Sequence, residues 1–353
     1  MIIKTAIKLL TDTLLNCTDG PFLVPSASYY LAHIDNVFLL IILIATITSL
    51  ITVALGILHL VYVYFYVTHR YRRAFIMYLA GTAPFVSVFS LIAMYMPRVW
   101  FLAHLFSFFY FSIALWIIIC LLMNIFEGRH KMVKKMKNEC SRISVQTPPF
   151  CCVFPCLPKF DLEQERIHFC ELMVFQAPCV RLLFTVLSLI LYFEYQNGAF
   201  IALKILDFVS LPSLLIGIYG THILVTTVSR LDELMPYRYT YVFRMLDFYF
   251  MFFGIQHPIF DFLSRAGAFG CGTILPSLET AFCKISSSFL RVQSNTWKCH
   301  STAVWKNFVI VLESFFVSLI STALLKPSQS ALFDKYPSCP SVSSSTATHE
   351  SST

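Results

Sequence analysis

Glu127-Gly128-Arg129-His130-Lys131-Met132-Val133-Lys134-Lys135-Met136-Lys137 opens a polar interval that runs to Glu171 between hydrophobic stretches. The interval carries eight basic residues: Arg129, Lys131, Lys134, Lys135, Lys137, Arg142, Lys159 and Arg166. It also carries five cysteines, three of them within Phe150-Cys151-Cys152-Val153-Phe154-Pro155-Cys156. Lys and Arg close to a membrane span resist translocation, so this loop is expected on the cytoplasmic side. That placement orients everything on either side of it.

The surrounding composition demands a membrane. The 353 residues are 57% apolar, 16% aromatic and only 13% charged, with mean hydropathy +0.71. A soluble domain built this way would carry a largely apolar surface. Apolar runs of about 20 residues or more, with little period-2 alternation, favour helices over a barrel and predict an all-α polytopic membrane protein. The net charge of +7 belongs to loops facing anionic lipid, and no nucleic-acid motif accompanies it.

Seven transmembrane helices are expected over residues 37–325. The first lies within Val37–Val67, a run of about 46 Å that exceeds the hydrocarbon core. The others are expected at Phe75–Met94, Val99–Phe126, Leu172–Phe193, Phe200–Val228, Tyr241–Leu263 and Ala303–Leu325. Basic residues accumulate in the first, central and third inner loops, whereas the short outer turns carry only Arg98. This asymmetry predicts an exoplasmic N-terminus and a cytoplasmic C-terminus. Residues 1–36 form an exoplasmic segment without a clear signal peptide, in which Asn16-Cys17-Thr18 is a glycosylation sequon. Residues 326–353 read as a Ser-rich, disordered cytoplasmic tail. Cys17, Cys271, Cys283 and Cys299 fall on the outer side, where disulfides form, and their pairing stays open. Cys120 and Cys179 fall in spans and read as packing residues.

Ionisable side chains within spans cost about 2.5–3.5 kcal/mol each on insertion scales, so each requires a reason. Lys204 and Asp207 read as a local ion pair or as interfacial residues, Glu194 and Asp261 as interfacial, and His59, His104 and His222 as helix-packing residues. Arg181 and Glu313 lie deeper. They either pair with each other or line a polar path, where Arg181 suits an anionic carboxylate or sulfate. Cys151, Cys152 and Cys156, beside basic residues next to a span, suit S-palmitoylation, which would bind the loop to membrane lipids. No paired CxxC, HExxH, GxGxxG or Walker pattern occurs, so no metal, cofactor or enzymatic activity is expected.

Three stretches resemble the alpha subunit of the organic solute transporter family. Tyr95-Met96-Pro97-Arg98 and Phe126-Glu127-Gly128 resemble the family's Y-x-P-R turn and E-G motif around the third span. Cys151-Cys152-Val153-Phe154-Pro155-Cys156-Leu157-Pro158, followed by Phe175-Gln176 and Arg181, resembles its cysteine-and-proline cluster and the opening of its fourth span. Ile255-Gln256-His257-Pro258-Ile259-Phe260 and Val311-Leu312-Glu313-Ser314-Phe315-Phe316 resemble its L-Q-P-S-I-F and L-E-T-F segments. The cluster here is sparser than in the vertebrate subunits, the sixth loop is longer, and Asp247 is additional. The resemblance implies seven spans and facilitated movement of steroid-like or bile-acid-like amphipathic anions. It also implies a small single-span beta subunit and a lipid-modified cysteine cluster.

The sequence is therefore expected to encode a plasma-membrane or endomembrane transporter, with Arg181, Gln256 and Glu313 on the solute path. Homo-oligomerisation is left open. One alternative is a membrane organiser of lipid or protein traffic acting through its acylated loop. A seven-helix receptor fits less well, because Glu127-Gly128-Arg129 stands where an Asp-Arg-Tyr would end the third span.

Overall fold

The computed structural model describes residues 27–139, 142–143, 147, 160–161, 163–195, 199–229, 231, 234–265 and 301–334. In hydrocarbon every backbone amide must find an internal partner, and a helix provides one within its own segment. The described residues form α1 (Ala27–Ala32), α2 (Asn36–Tyr66), α3 (Arg70–Ala80), α4 (Thr82–Tyr95), α5 (Trp100–Ile125), α6 (Arg129–Glu139), α7 (Gln164–Tyr195), α8 (Phe200–Val228), α9 (Tyr239–Arg265) and α10 (Ser301–Leu324). A 3-10 turn at Pro97–Val99 precedes α5. A two-residue antiparallel pair, Arg142–Ile143 with Phe160–Asp161, joins the ends of the central basic interval.

Among the described residues, six stretches are long and apolar enough to cross a membrane: Asn36–Tyr66, Arg70–Tyr95, Pro97–Ile125, Gln164–Tyr195, Ile205–Val228 and Val304–Leu324. The expected seventh, Tyr241–Leu263, is present as the 27-residue α9, about 40 Å long. Arg244, Asp247, Gln256, His257 and Asp261 dilute its composition, and it does not join the six.

Two elements differ from expectation in their limits. The second span is two helices meeting at Gly81. Pro84 has no N–H to offer the carbonyl of Ala80, so the helix breaks there and restarts. The fourth span begins two turns early, at Gln164, because its charged first turns continue the helix beyond the apolar run.

The bundle is apolar outside and partly polar within. Leu39, Leu43, Leu50, Leu183, Phe193, Phe208 and Phe262 face outward, whereas Ser49, Thr52, Ser87, Ser112, Thr221 and Ser314 are buried. Interior hydroxyls bond the carbonyl one turn back, as Thr52 does to Thr48 O and Thr221 to Gly217 O, or a facing helix, as Ser87 does to Ser49 at 3.0 Å. Small residues then allow close approach. A Cβ at Gly56 would sit 2.3 Å from the Pro84 ring, and one at Gly217 would sit 2.7 Å from the Ala177 Cβ. Cys179 is exposed on α7 rather than packed inside, because Ala177, Pro178 and Arg181 take the buried face.

One end of the bundle gathers the basic segments. Glu127 and Gly128 adopt positive φ and close α5, with the Gly128 N–H donating to Met123 O at 2.9 Å. Lys131 binds the Glu127 carboxylate and holds its pKa below the usual range. Arg129 reaches from α6 to Glu171 on α7 through two hydrogen bonds. The first residues of the expected disordered tail are ordered at this end. Leu332 and Phe333, apolar side chains in a polar stretch, are buried among the helices.

Gly56→Ala should destabilise the bundle by about 1–3 kcal/mol through overpacking against Pro84. Gly254→Ala, where a Cβ meets nothing within 4 Å, should be neutral. Thermal unfolding midpoints of the two purified variants check this contrast.

Candidate functional site

Helical periodicity turns Arg181 inward. Val174, Ala177, Arg181, Thr185 and Ser188 recur at spacings of three and four and are all buried. The Arg181 side chain is 6% exposed, and its Nη1 lies 2.9 Å from Asp207 Oδ1 and 2.5 Å from Ser210 Oγ on α8. Its guanidinium also lies 4.8 Å from the Phe108 ring centroid on α5. Nε is buried with no hydrogen-bond partner among the described residues. A cation fixed on one side by an acid and a hydroxyl therefore keeps one donor unused.

Phe108 leads across the bundle. Its ring packs 5.0 Å from Phe253 of α9 and 4.7 Å from His104. One turn beyond Phe253, Gln256 donates from Nε2 to Glu313 of α10. Gln256 Oε1 and Glu313 Oε2 are buried and make no hydrogen bond among the described residues. Beside this pair, the Tyr249 and Ser314 hydroxyls lie 2.6 Å apart. The result is a seam with a cation at one end, an acid and an amide at the other, and aromatic rings between. A small cavity lined by Ser90, His104, Ser107, Phe253, Lys306 and Asn307 adjoins it.

The structure thus brings Gln256 and Glu313 into direct contact and links Arg181 to them through the Phe108–Phe253 wall. Arg181 pairs with Asp207 and not with Glu313. Asp207, expected beside Lys204, has this cross-helix partner, while the Lys204 side chain lies outside the described residues. His222 packs between helices with a polar partner. Its Nε2 lies 3.1 Å from Asp247 Oδ1, with Phe243 edge-on at 5.1 Å. Asn16, Cys17, Cys151, Cys152, Cys156, Cys271, Cys283 and Cys299 all lie outside the described residues.

Sequence reasoning missed Lys306, Ser210 and the ring of Phe108. Lys306 was detectable: it interrupts an apolar run and lies four and seven residues before Ile310 and Glu313, on one helical face. Ser210 and Phe108 carry no such mark, because their role depends on which helix faces Arg181.

The comparisons with known proteins agree with one another. A family described as "Organic solute transporter Ostalpha" matches residues 41–329. The chain is 55% identical over 345 residues to organic solute transporter alpha-like protein 2 of Caenorhabditis elegans, covering 98% of this chain and 95% of that protein. It is 30% identical over 334 residues to alpha-like protein 3 of the same organism, covering 94% and 89%. Similarity to the organic solute transporter subunit alpha of Bos taurus is 20% over 306 residues, covering 84% and 82%. No solved structure matches.

Asp207→Ala strips a buried cation of its acid and should lower the thermal midpoint. Adding Arg181→Met should recover part of that loss, because the double variant leaves no buried charge unpaired. The melting order of the single and double variants checks it.

Proposed function

Since the chain belongs to the organic solute transporter alpha family, a family of membrane transporters, we propose that it moves amphipathic organic anions down their gradient along the interior seam. The observation that carries this reading is the set of buried, unbonded polar atoms at both ends of one aromatic wall: Arg181 Nε, Gln256 Oε1 and Glu313 Oε2. Burying such atoms without partners costs about 1–3 kcal/mol each, which a passing solute with its own polar groups would relieve. Arg181 would attract the anionic headgroup. The Phe108 and Phe253 rings would face an apolar body of steroid or bile-acid type. Gln256 and Glu313 would bond hydroxyls at the far end.

In this reading α9 is a seventh span, retained by its neighbours despite its polar residues. The basic end of the bundle is then cytoplasmic, because three basic loops gather there. The exoplasmic side holds the sequon at Asn16 and the candidate disulfide residues Cys17, Cys271, Cys283 and Cys299. Acylation at Cys151, Cys152 and Cys156 would fasten the central loop to the inner leaflet. The cattle relative is named as a subunit, which supports a partner, here taken to be a single-span beta-type chain. The plasma membrane is the proposed site of action.

The test is uptake of a radiolabelled steroid sulfate by cells expressing the chain, alone and with a single-span beta-type partner. Saturable uptake is expected in one or both conditions. Arg181→Ala should reduce it about tenfold per molecule at the surface, the loss expected for one charge-assisted hydrogen bond. Unchanged uptake per surface molecule would remove Arg181 from the path. Absence of uptake in both conditions, with surface expression confirmed, would overturn the transport reading.

A further inference from the structure

Beyond α10 the chain turns back into the bundle. Leu332 and Phe333 are 1% and 3% exposed, and they close an interhelical cavity lined mainly by apolar side chains such as Val63, Val242 and Leu246, with His59, Tyr62 and Ser321 among them. Five hydrogen bonds fix this segment. The Ala331 N–H donates to Pro236 O at 2.9 Å and the Ser330 hydroxyl to Tyr237 O at 3.1 Å. The Asp334 N–H donates to Tyr66 O at 2.8 Å, and its carboxylate accepts from Thr68 N at 2.6 Å and from the Thr68 hydroxyl. The segment is therefore tied to both the end of α2 and the entrance to α9.

The cavity wall is mostly apolar, with His59 and Ser321 as a polar spot within it. His59 is buried, with Nδ1 3.4 Å from Ser321 Oγ, and its Nε2 has no hydrogen-bond partner among the described residues. An unbonded buried imidazole nitrogen is costly, and a polar group entering the cavity would relieve it. The cavity is also in line with the seam. Ser314, Ser318 and Ser321 are buried on one face of α10, at spacings of four and three. Ser321 lies about 12 Å further along the axis than Glu313. A rail of hydroxyls thus joins the Gln256–Glu313 pair to His59, and Leu332 with Phe333 stands at its end.

We propose that residues 330–334 are a stopper seated across the end of the seam, with Leu332 and Phe333 filling the way out of the His59–Ser321 cavity and Asp334 latched on Thr68. When the stopper withdraws, the cavity takes the apolar body of an amphipathic anion, and His59 Nε2 bonds its polar group. The identity of the ligand rests on the transport reading above, whereas the stopper is testable without transport.

The first experiment uses the full chain in detergent, carrying Ser321→Cys, and a water-soluble maleimide. Modification at residue 321 is followed by peptide mass, with buried Cys170 in the α7–α8 contact as an internal reference. Adding Asp334→Ala should accelerate modification at 321 about fivefold or more while leaving Cys170 unchanged. An unaltered rate at 321, or equal acceleration at Cys170, would overturn the stopper. The second experiment measures steroid sulfate uptake by the Thr68→Cys/Asp334→Cys variant before and after oxidation. Uptake should fall several-fold on oxidation and return on reduction, because a merely structural contact loses nothing when locked in place. Equal uptake in both states would remove the stopper from the path. If the unaltered chain shows no uptake at all, the transport reading fails, and the modification rates alone decide the stopper.

Discussion

In hydrocarbon, lipid solvates an apolar side chain as well as another helix does, so close backbone approach at small residues is what holds this bundle together. Gly56 lies against the Pro84 ring, and Gly217 lies against Ala177. Ser49 and Ser87 bond directly across the α2–α4 contact. Each site brings two helices nearer than side chains with ordinary branching would allow. Dispersion and hydroxyl bonding then act over the shortened distance. The Tyr78 and Tyr110 rings, stacked at 4.3 Å, exchange hydrogen bonds with each other's backbone and fix α3 on α5 beside the break at Gly81.

Against this tight frame, the polar interior is selective. Many buried hydroxyls are satisfied locally by the carbonyl one turn back. Among the described residues, buried polar atoms without a hydrogen bond include Arg181 Nε, Gln256 Oε1, Glu313 Oε2 and His59 Nε2, with others, such as those of Tyr30, Thr147 and His222, elsewhere. Arg181 is stabilised by Asp207 and Ser210 on one side and by the Phe108 face on another, so its guanidinium is held in place rather than solvated. In the proposed transport reading, its position is set before a solute arrives, which would lower the reorganisation that binding an anion requires.

Much of the fold was legible because lipid imposes a simple rule on apolar length. Phe200–Val228 appears with both ends as read, and α2 differs by one residue at each end. Proline chemistry changed the second span, since Pro84 divides a run that hydropathy alone reads as continuous. Depth within a span identified Arg181 and Glu313. The amide of the Gln256-His257-Pro258 segment was legible from the family resemblance. Pairing was not legible: Lys204 is three residues from Asp207, but the carboxylate turns to Arg181, 26 positions earlier. Leu332 and Phe333 looked like tail because the residues around them are polar, and only the cavity beneath shows why they fold back.

The composition of α9 has a consequence for biogenesis. A segment carrying Arg244, Asp247, Gln256, His257 and Asp261 has little tendency to leave a translocation channel for lipid by itself. Its outward face is apolar, with Phe248, Phe252, Ile255 and Phe262 exposed, whereas its inward face is completed by α5, α8 and α10. Partner groups for its polar atoms exist only once those helices are present: His222 for Asp247, and Glu313 for Gln256. In the proposed seven-span reading, membrane insertion of this helix is thus a cooperative act of assembly. The element bearing the amide end of the seam would then be secured late in synthesis, after α10 has emerged from the ribosome.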